Sequence, residues 1–187
     1  MQWSELTQSR PRRLALMVTA LLIALVVISL WLPPKWRVER AVVIAAPPSA
    51  VFPYINSLKK WREWTVWHEA NPDLPVEYSG PDTGMGATSR WTDGNSRGAM
   101  KLMTSRPNAL VEYLVIFDGG EQEMQGAIRL TPVAGGTHVV WRAGSEAGAN
   151  PLQRYSMLVM KYFIGRDFER SLEKLRDIVE TKNKSPG

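Results

Sequence analysis

Residues Leu110–Ala143 read LVEYLVIFDGGEQEMQGAIRLTPVAGGTHVVWRA. Three strand-length runs stand out, about Leu110 to Phe117, Glu123 to Thr131 and His138 to Ala143. They are separated by Asp118-Gly119-Gly120 and Ala134-Gly135-Gly136. Gly-rich pairs between alternating runs read as hairpins, because glycine alone adopts the positive φ of a tight turn at no steric cost. Met124, Gly126, Ile128 and Leu130 fall on one side of their strand, with Gln125, Arg129 and Thr131 on the other. Val139 and Trp141 alternate with His138, Val140 and Arg142. Val111, Tyr113, Val115 and Phe117 can share the dry side. An antiparallel sheet with one apolar face must cover that face.

Upstream, the same rhythm continues. Val76 to Ser79, Ala87 to Thr92 and Gly98 to Ser105 are strand-like, bounded by Gly80-Pro81-Asp82, Asp93-Gly94-Asn95 and Pro107-Asn108. A first strand is expected at Val38 to Ala45, broken by Ala46-Pro47-Pro48-Ser49. A short helix capped by Ser49 follows as far as Ile55, with Pro53 limiting its length. Leu58, Trp61 and Trp64 recur at helical spacing in a second short helix, Leu58 to Trp67. Asn71 to Pro75 is loop.

Downstream lies the cover. Asn150-Pro151 opens a helix of about 30 residues ending near Glu180, with Asn at the cap, Pro at the first helical position and Gln153 placed for a capping box. Phe168, Leu172, Leu175 and Val179 form a clean apolar stripe. The earlier half, Tyr155 to Ile164, is apolar nearly all round, so it is expected to be the more deeply buried half or to meet something else apolar. Residues 181–187 carry no core side chain and are expected to fray. The fold class is therefore α+β: a curved antiparallel sheet of about seven strands around a long C-terminal helix, with two short helices after the first strand. A long helix over a bent sheet leaves room for a cavity.

The chain has 187 residues, 44% of them hydrophobic, enough for one folded domain with a core. It has no cysteine, which excludes a disulfide framework and a thiol nucleophile. The net charge of +5 is uneven. Residues 1–40 hold Arg10, Arg12, Arg13, Lys35, Arg37 and Arg40 against Glu5 and Glu39, while the rest is nearly neutral. A nucleic-acid-binding domain needs its basic residues on the domain itself, so nucleic acid is not an expected partner.

That basic excess flanks Leu14 to Leu32, LALMVTALLIALVVISLWL, which carries no charge. Nineteen residues make a helix of roughly 28 Å, close to the hydrocarbon thickness of a bilayer. Trp31 and Trp36 are placed as interface anchors, and Pro33-Pro34 ends the helix. A cleaved signal peptide would have a shorter apolar run and a small-residue cleavage site; a buried core helix would show a polar stripe. The reading is a single-pass anchor at 14–32 in contact with the lipid bilayer, preceded by a basic tail, 1–13, in the cytoplasm or disordered. Basic residues are tied across the span, and the adjacent Arg12-Arg13 pair tips the domain to the outside of the cytoplasm.

Several motifs together resemble the SRPBCC superfamily, also called START-like or Bet v 1-like, or polyketide cyclase/dehydrase-like. They are Val38-Glu39-Arg40 running into Ala46-Pro47 and Val51-Phe52; Trp61 and Trp64; Gly80-Pro81 with Gly84-Met85-Gly86 and Trp91; Gly136-Thr137 with Val140-Trp141; and Gly165-Arg166-Asp167-Phe168-Glu169 with Leu172 and Leu175. The closer resemblance is to bacterial members with an N-terminal membrane segment, which implies a bacterial inner membrane location. It covers about 37–180 and implies the helix-grip fold. The chain departs from the pattern at Trp64-Thr65-Val66-Trp67, where similar proteins usually carry Trp-Ser-Pro-Trp, and at Ser171, where many carry glycine. Such proteins include lipid and hormone carriers and cyclases; no shared catalytic motif transfers.

For chemistry, the residues offer little. His68 and His138 with scattered carboxylates form no metal-ligand spacing, and no cofactor is expected. No nucleophile elbow or phosphate loop is present. His68, Glu112, Arg129 and Tyr113 are the acid–base nominees, none with a partner arranged by spacing. The aromatic and methionine excess is more telling: Trp61, Trp64, Trp91, Tyr113, Phe117, Met124, Trp141, Tyr155, Val159, Tyr162 and Phe163 can line the space between sheet and helix, or simply fill an ordinary core. Three functions follow: a membrane-tethered binder of a hydrophobic small molecule such as a lipid or isoprenoid, a cyclase or aromatase using a cavity acid or base, or a tethered protein-interaction domain with a filled interior.

Overall fold

The computed structural model describes residues 5–33, 35–94, 96–117, 122–146 and 151–184, with side chains placed in all but 5–12, 96, 151–153 and 156–159. The first helix is α1 (Glu5–Trp31); its segment Arg13–Trp31 is almost wholly exposed and is long and apolar enough to cross a bilayer. Inside it Ser29 Oγ donates to the Val26 carbonyl at 2.6 Å, so this polar side chain is satisfied within its own helix. Pro33 cannot continue a helix, and the chain enters β1 (Lys35–Ile44) almost at once.

The two short helices become three: α2 (Pro48–Ile55), α3 (Leu58–Trp64) and α4 (Val66–Ala70). Ser49 does not cap α2; Pro47 occupies the cap position and Pro48 the first turn, where a missing N–H costs nothing. The expected helix through Trp67 breaks at Thr65, whose backbone is extended (φ −85°, ψ 135°). The Thr65 hydroxyl stabilises the break by donating to the Trp61 carbonyl at 2.8 Å.

Six strands then meander: β2 (Val76–Ser79), β3 (Thr88–Asp93), β4 (Ser96–Arg106), β5 (Leu110–Phe117), β6 (Gln122–Val133) and β7 (Gly136–Glu146). β1 adds to the far side of β7, giving one antiparallel seven-stranded sheet in the order β1-β7-β6-β5-β4-β3-β2. Val133 pairs with Gly136 across a two-residue turn in which Gly135 has φ 83°, as the Gly-Gly signal requires. The register shifts between Leu102 and Thr104 opposite β5, a bulge that adds bend to the sheet. The turn at 118–120, Asn95 and the Asn150 cap lie outside the described residues.

The expected alternation holds. Val111, Tyr113 and Val115, then Met124, Gly126, Ile128 and Leu130, then Val139 and Trp141 are buried on one face. The final helix α5 (Pro151–Lys184) lies over that face, burying Phe168, Leu172, Leu175 and Val179. It stays helical beyond Glu180 to Lys184. Deeper burial, the first of the two expectations for its earlier half, is not what the structure shows: Tyr162 and Phe163 are 62% and 58% exposed, whereas the Phe168 stripe is at most 2% exposed. The later half and the tryptophans of α3 cover the apolar sheet face, while Tyr162 and Phe163 of the earlier half point away from it.

Candidate functional site

The space between sheet and helix has two ends of opposite character. One is solid. The Trp141 and Phe168 rings stack with centroids 3.8 Å apart. Trp61, Trp64 and Trp67 surround Trp141 at 5.7, 5.1 and 5.6 Å, tilted or edge-on. Such geometry aligns ring edges with ring faces, which is electrostatically favourable. Every indole N–H in this cluster has a partner: Trp61 donates to the Ile55 carbonyl, Trp64 to the Tyr54 carbonyl, Trp67 to Asp167 Oδ2, and Trp141 to the Tyr113 hydroxyl oxygen at 2.7 Å. Four of the eight tryptophans thus form a packed plug.

The other end opens into a hollow; the space of about 1520 Å³ there also takes in Glu112, Leu114, Gln125, Ala127 and Arg142 on the outer face of the sheet, so only part of it lies between sheet and helix. Its sheet-side wall includes Met100, Tyr113, Val115, Phe117, Met124 and Ala143, and Val76, Tyr78 and Trp91 extend it toward the far edge. Trp61 and Trp67 form the boundary with the plug, while Met160 and Ile164 come from α5. The rim carries Lys35, Trp36, Arg37 and Glu146, the paired ends of β1 and β7. Two glycines make the wall possible. A Cβ on Gly126 would sit 2.1 Å from the Tyr113 ring, and one on Gly98 2.2 Å from the Trp91 ring, so each aromatic lies flat across a bare backbone.

Of the residues expected to line a cavity, Trp61, Trp91, Tyr113, Phe117 and Met124 border the hollow. Trp64 and Trp141 do not; both are fully buried in the plug. Tyr155 turns away and donates its hydroxyl to the Leu25 carbonyl of α1 at 2.6 Å. Tyr162 and Phe163 face outward, edge-on to one another at 5.7 Å. The Val159 side chain lies outside the described residues. Trp67, Met100, Tyr78, Met160 and Ile164 were not foreseen. Ile164 stands four residues before Phe168, so extending that stripe backward would have found it. Met100 shares parity with Leu102 on β4, a weaker signal in a strand of mixed composition.

The acid–base nominees separate. His68 reaches the edge of the hollow. Its imidazole is held below its ordinary pKa, first by burial and then by the Arg62 charge. Its Nδ1 lies 2.9 Å from the Thr65 hydroxyl. Because that hydroxyl's proton is given to Trp61, Nδ1 carries the hydrogen, leaving Nε2 as the basic nitrogen. Glu69 beside it is engaged by Lys174 instead. Glu112 and Arg129 are both exposed on the outer sheet face, opposite the side that carries Tyr113 and Gly126. Tyr113 is fully enclosed, and burial pushes its phenol pKa well above the usual value. The Tyr78 hydroxyl is buried and bonds to no described residue. Among the described residues, no three His, Asp or Glu side chains cluster to hold a metal ion. The arrangement suits the reception of an apolar body with few polar handles.

Comparison with known proteins fits this architecture. Residues 35–180 match the model of the family described as polyketide cyclase / dehydrase and lipid transport. Among solved structures, protein CV1439 from Chromobacterium violaceum is similar at 18% identity, covering 79% of this chain and 97% of its own, with a TM-score of 0.54. Ara h 8.0201 is similar at 13% identity, covering 79% and 99%, with a TM-score of 0.53. The Aha1 dimer from Colwellia psychrerythraea gives 15% identity, 78% and 96% coverage, and 0.52. These likenesses establish the Bet v 1-like fold. No curated protein matches the chain.

Proposed function

Because the chain belongs to the polyketide cyclase/dehydrase and lipid transport family, we propose that it is a membrane-anchored binding protein for a hydrophobic or amphipathic small molecule, lipid- or isoprenoid-like in chemistry. The observation that carries this reading is the asymmetry of the interior. Aromatic rings are packed solid at one end, while a hollow whose inner wall is rich in aromatic, aliphatic and methionine side chains is left at the other. Binding sites for small molecules are concave, mostly apolar and sparsely polar, and methionine adapts to varied ligand shapes. α1 anchors the domain to a bacterial inner membrane, with the basic tail in the cytoplasm and the domain outside.

The test is extraction of the full chain from membranes in mild detergent, followed by organic extraction and mass spectrometry. The expected result is one species enriched over the bulk lipid of the same membranes, and its loss in Met124→Trp, which fills the hollow. An extract that matches bulk lipid, unchanged by that substitution, overturns the reading.

A further inference from the structure

We propose that the N-terminal half of α5, about 151–166, docks onto the surface of the same bilayer that α1 crosses, seating Met160, Tyr162 and Phe163 at the boundary of headgroups and acyl chains, so that the mouth of the hollow faces the lipid. This rests on the reading of α1 as a membrane anchor.

The depth of the contact between the two helices carries the inference. Arg154 Nη1 donates to the Ser29 carbonyl at 2.9 Å, near the end of α1, and the Tyr155 hydroxyl reaches the Leu25 carbonyl at 2.6 Å. Leu25 lies six residues before Trp31, or roughly 9 Å down the helix axis. With Trp31 at the membrane interface, Tyr155 inserts to the depth at which interfacial helices bury their apolar face. Tyr162 is seven residues further along and shares its helix face with Tyr155. The first turns of α5 cannot reach α1 this way without lying against the bilayer.

The surface chemistry agrees. Met160, Tyr162 and Phe163 are 40%, 62% and 58% exposed, a dense apolar patch for a helix whose later half buries its stripe. Lys161 and Arg166 flank it, and neither forms an ion pair among the described residues, whereas Arg154 is engaged by the α1 carbonyls of Ser29 and Leu30. Arg166 lies over the Tyr162 ring at 5.9 Å. Further along, Lys174 pairs with Glu69 and Lys182 with Glu63. Unpaired cations around exposed aromatics suit an anionic lipid surface. The placement also has a consequence for the hollow. Met160 and Ile164 belong to its wall, and its rim begins at Lys35, just after α1 ends. An apolar ligand then passes between bilayer and hollow without crossing water.

The chain has no cysteine, so single-cysteine variants of the full chain can be labelled cleanly. An environment-sensitive fluorophore is placed at Phe163→Cys, at Leu22→Cys within α1, and at Asp177→Cys on the exposed later part of α5. The chain is held in nanodiscs of phosphatidylethanolamine and phosphatidylglycerol, with and without doxyl-labelled lipid. The expected result is a loss of roughly twofold or more in fluorescence at 163 and 22, none at 177, and relief at 163 when Lys161→Glu and Arg166→Glu are added. Quenching at 22 but not at 163 overturns the docking and leaves the anchor standing. A label at 163 that is dry yet unaffected by doxyl lipid means another occupant, a second copy of the chain included, and also overturns it. No quenching at 22 removes the anchor and the docking together.

Discussion

The backbone N–H of Val66 donates to Oγ of Ser171 at 3.1 Å across the buried seam between α4 and α5. Both residues belong to the departures from the pattern that the sequence resembles, Val66 standing where that pattern carries proline and Ser171 where it often carries glycine. A proline at the first turn of a helix has no N–H to satisfy. Valine there exposes one in the interior, and Ser171 supplies the acceptor. These two departures are thus coupled by one hydrogen bond.

Ser171→Gly should cost about 1–3 kcal/mol for the orphaned N–H, plus about 1 kcal/mol for glycine in a helix. Adding Val66→Pro removes the orphan, and Thr65 already has the extended backbone that a following proline requires. The double variant should therefore be more stable than Ser171→Gly alone, a sign that two independent lesions would not produce. Denaturant unfolding of the detergent-solubilised chain measures both.

Gly126→Ala should strike the wall of the hollow. Its Cβ would lie 2.1 Å from the Tyr113 ring, and displacing that ring breaks the Trp141 bond to the Tyr113 oxygen. Overpacking of about 1–3 kcal/mol together with a lost buried hydrogen bond predicts a clear fall in Tm and altered near-ultraviolet circular dichroism. Val133→Ala, exposed near the end of β6, should change neither.

Tyr113 predicts the alkaline limb of stability. Burial raises its pKa in the folded state, so above about pH 10 the unfolded chain loses this proton while the folded chain keeps it. Stability contributed by this group is complete below pH 10 and declines as the pH rises. Tyr113→Phe should lower stability at neutral pH, because Trp141 Nε1 loses its acceptor, yet flatten the slope above pH 10. An undiminished slope in unfolding curves would refute the assignment.

His68 sets an opposite, acid-side dependence. Its folded pKa is depressed below the ordinary value of 6.5, so the unfolded chain binds a proton first as the pH falls. Its contribution is intact above about pH 6.5 and lost progressively below it. His68→Gln should reduce the loss of stability between pH 7 and pH 5, with the Arg62→Gln variant moving the histidine's NMR titration upward.

The helix-grip arrangement could be read from residues because it rests on local periodicity. Gly-Gly turns separate runs whose parity holds in the buried face of β5, β6 and β7, and Phe168, Leu172, Leu175 and Val179 repeat at helical spacing. Half of the cavity reading was legible for the same reason: Tyr113, Phe117 and Met124 follow strand parity onto the dry face. Trp64 and Trp141 share that character but fill the plug, and no pattern along the chain distinguishes a ring packed against rings from one facing a void. Tyr155, Tyr162 and Phe163 were misplaced because apolarity all round a helix says that something must cover it, without saying what.

The order of residues alone determined the apolar segment at the N-terminus, the meander with its wet and dry faces, and the long covering helix, since turns and amphipathic repeats depend on neighbours a few positions apart. Only the tertiary structure decided how far along the sheet α5 lies, and with it where the interior is solid and where it is hollow. It also brought Tyr155 to Leu25 and Val66 to Ser171, residues over a hundred positions apart in each case. Such contacts depend on the bend of the sheet and the angle of the helix across it, which are set by packing summed over the whole domain.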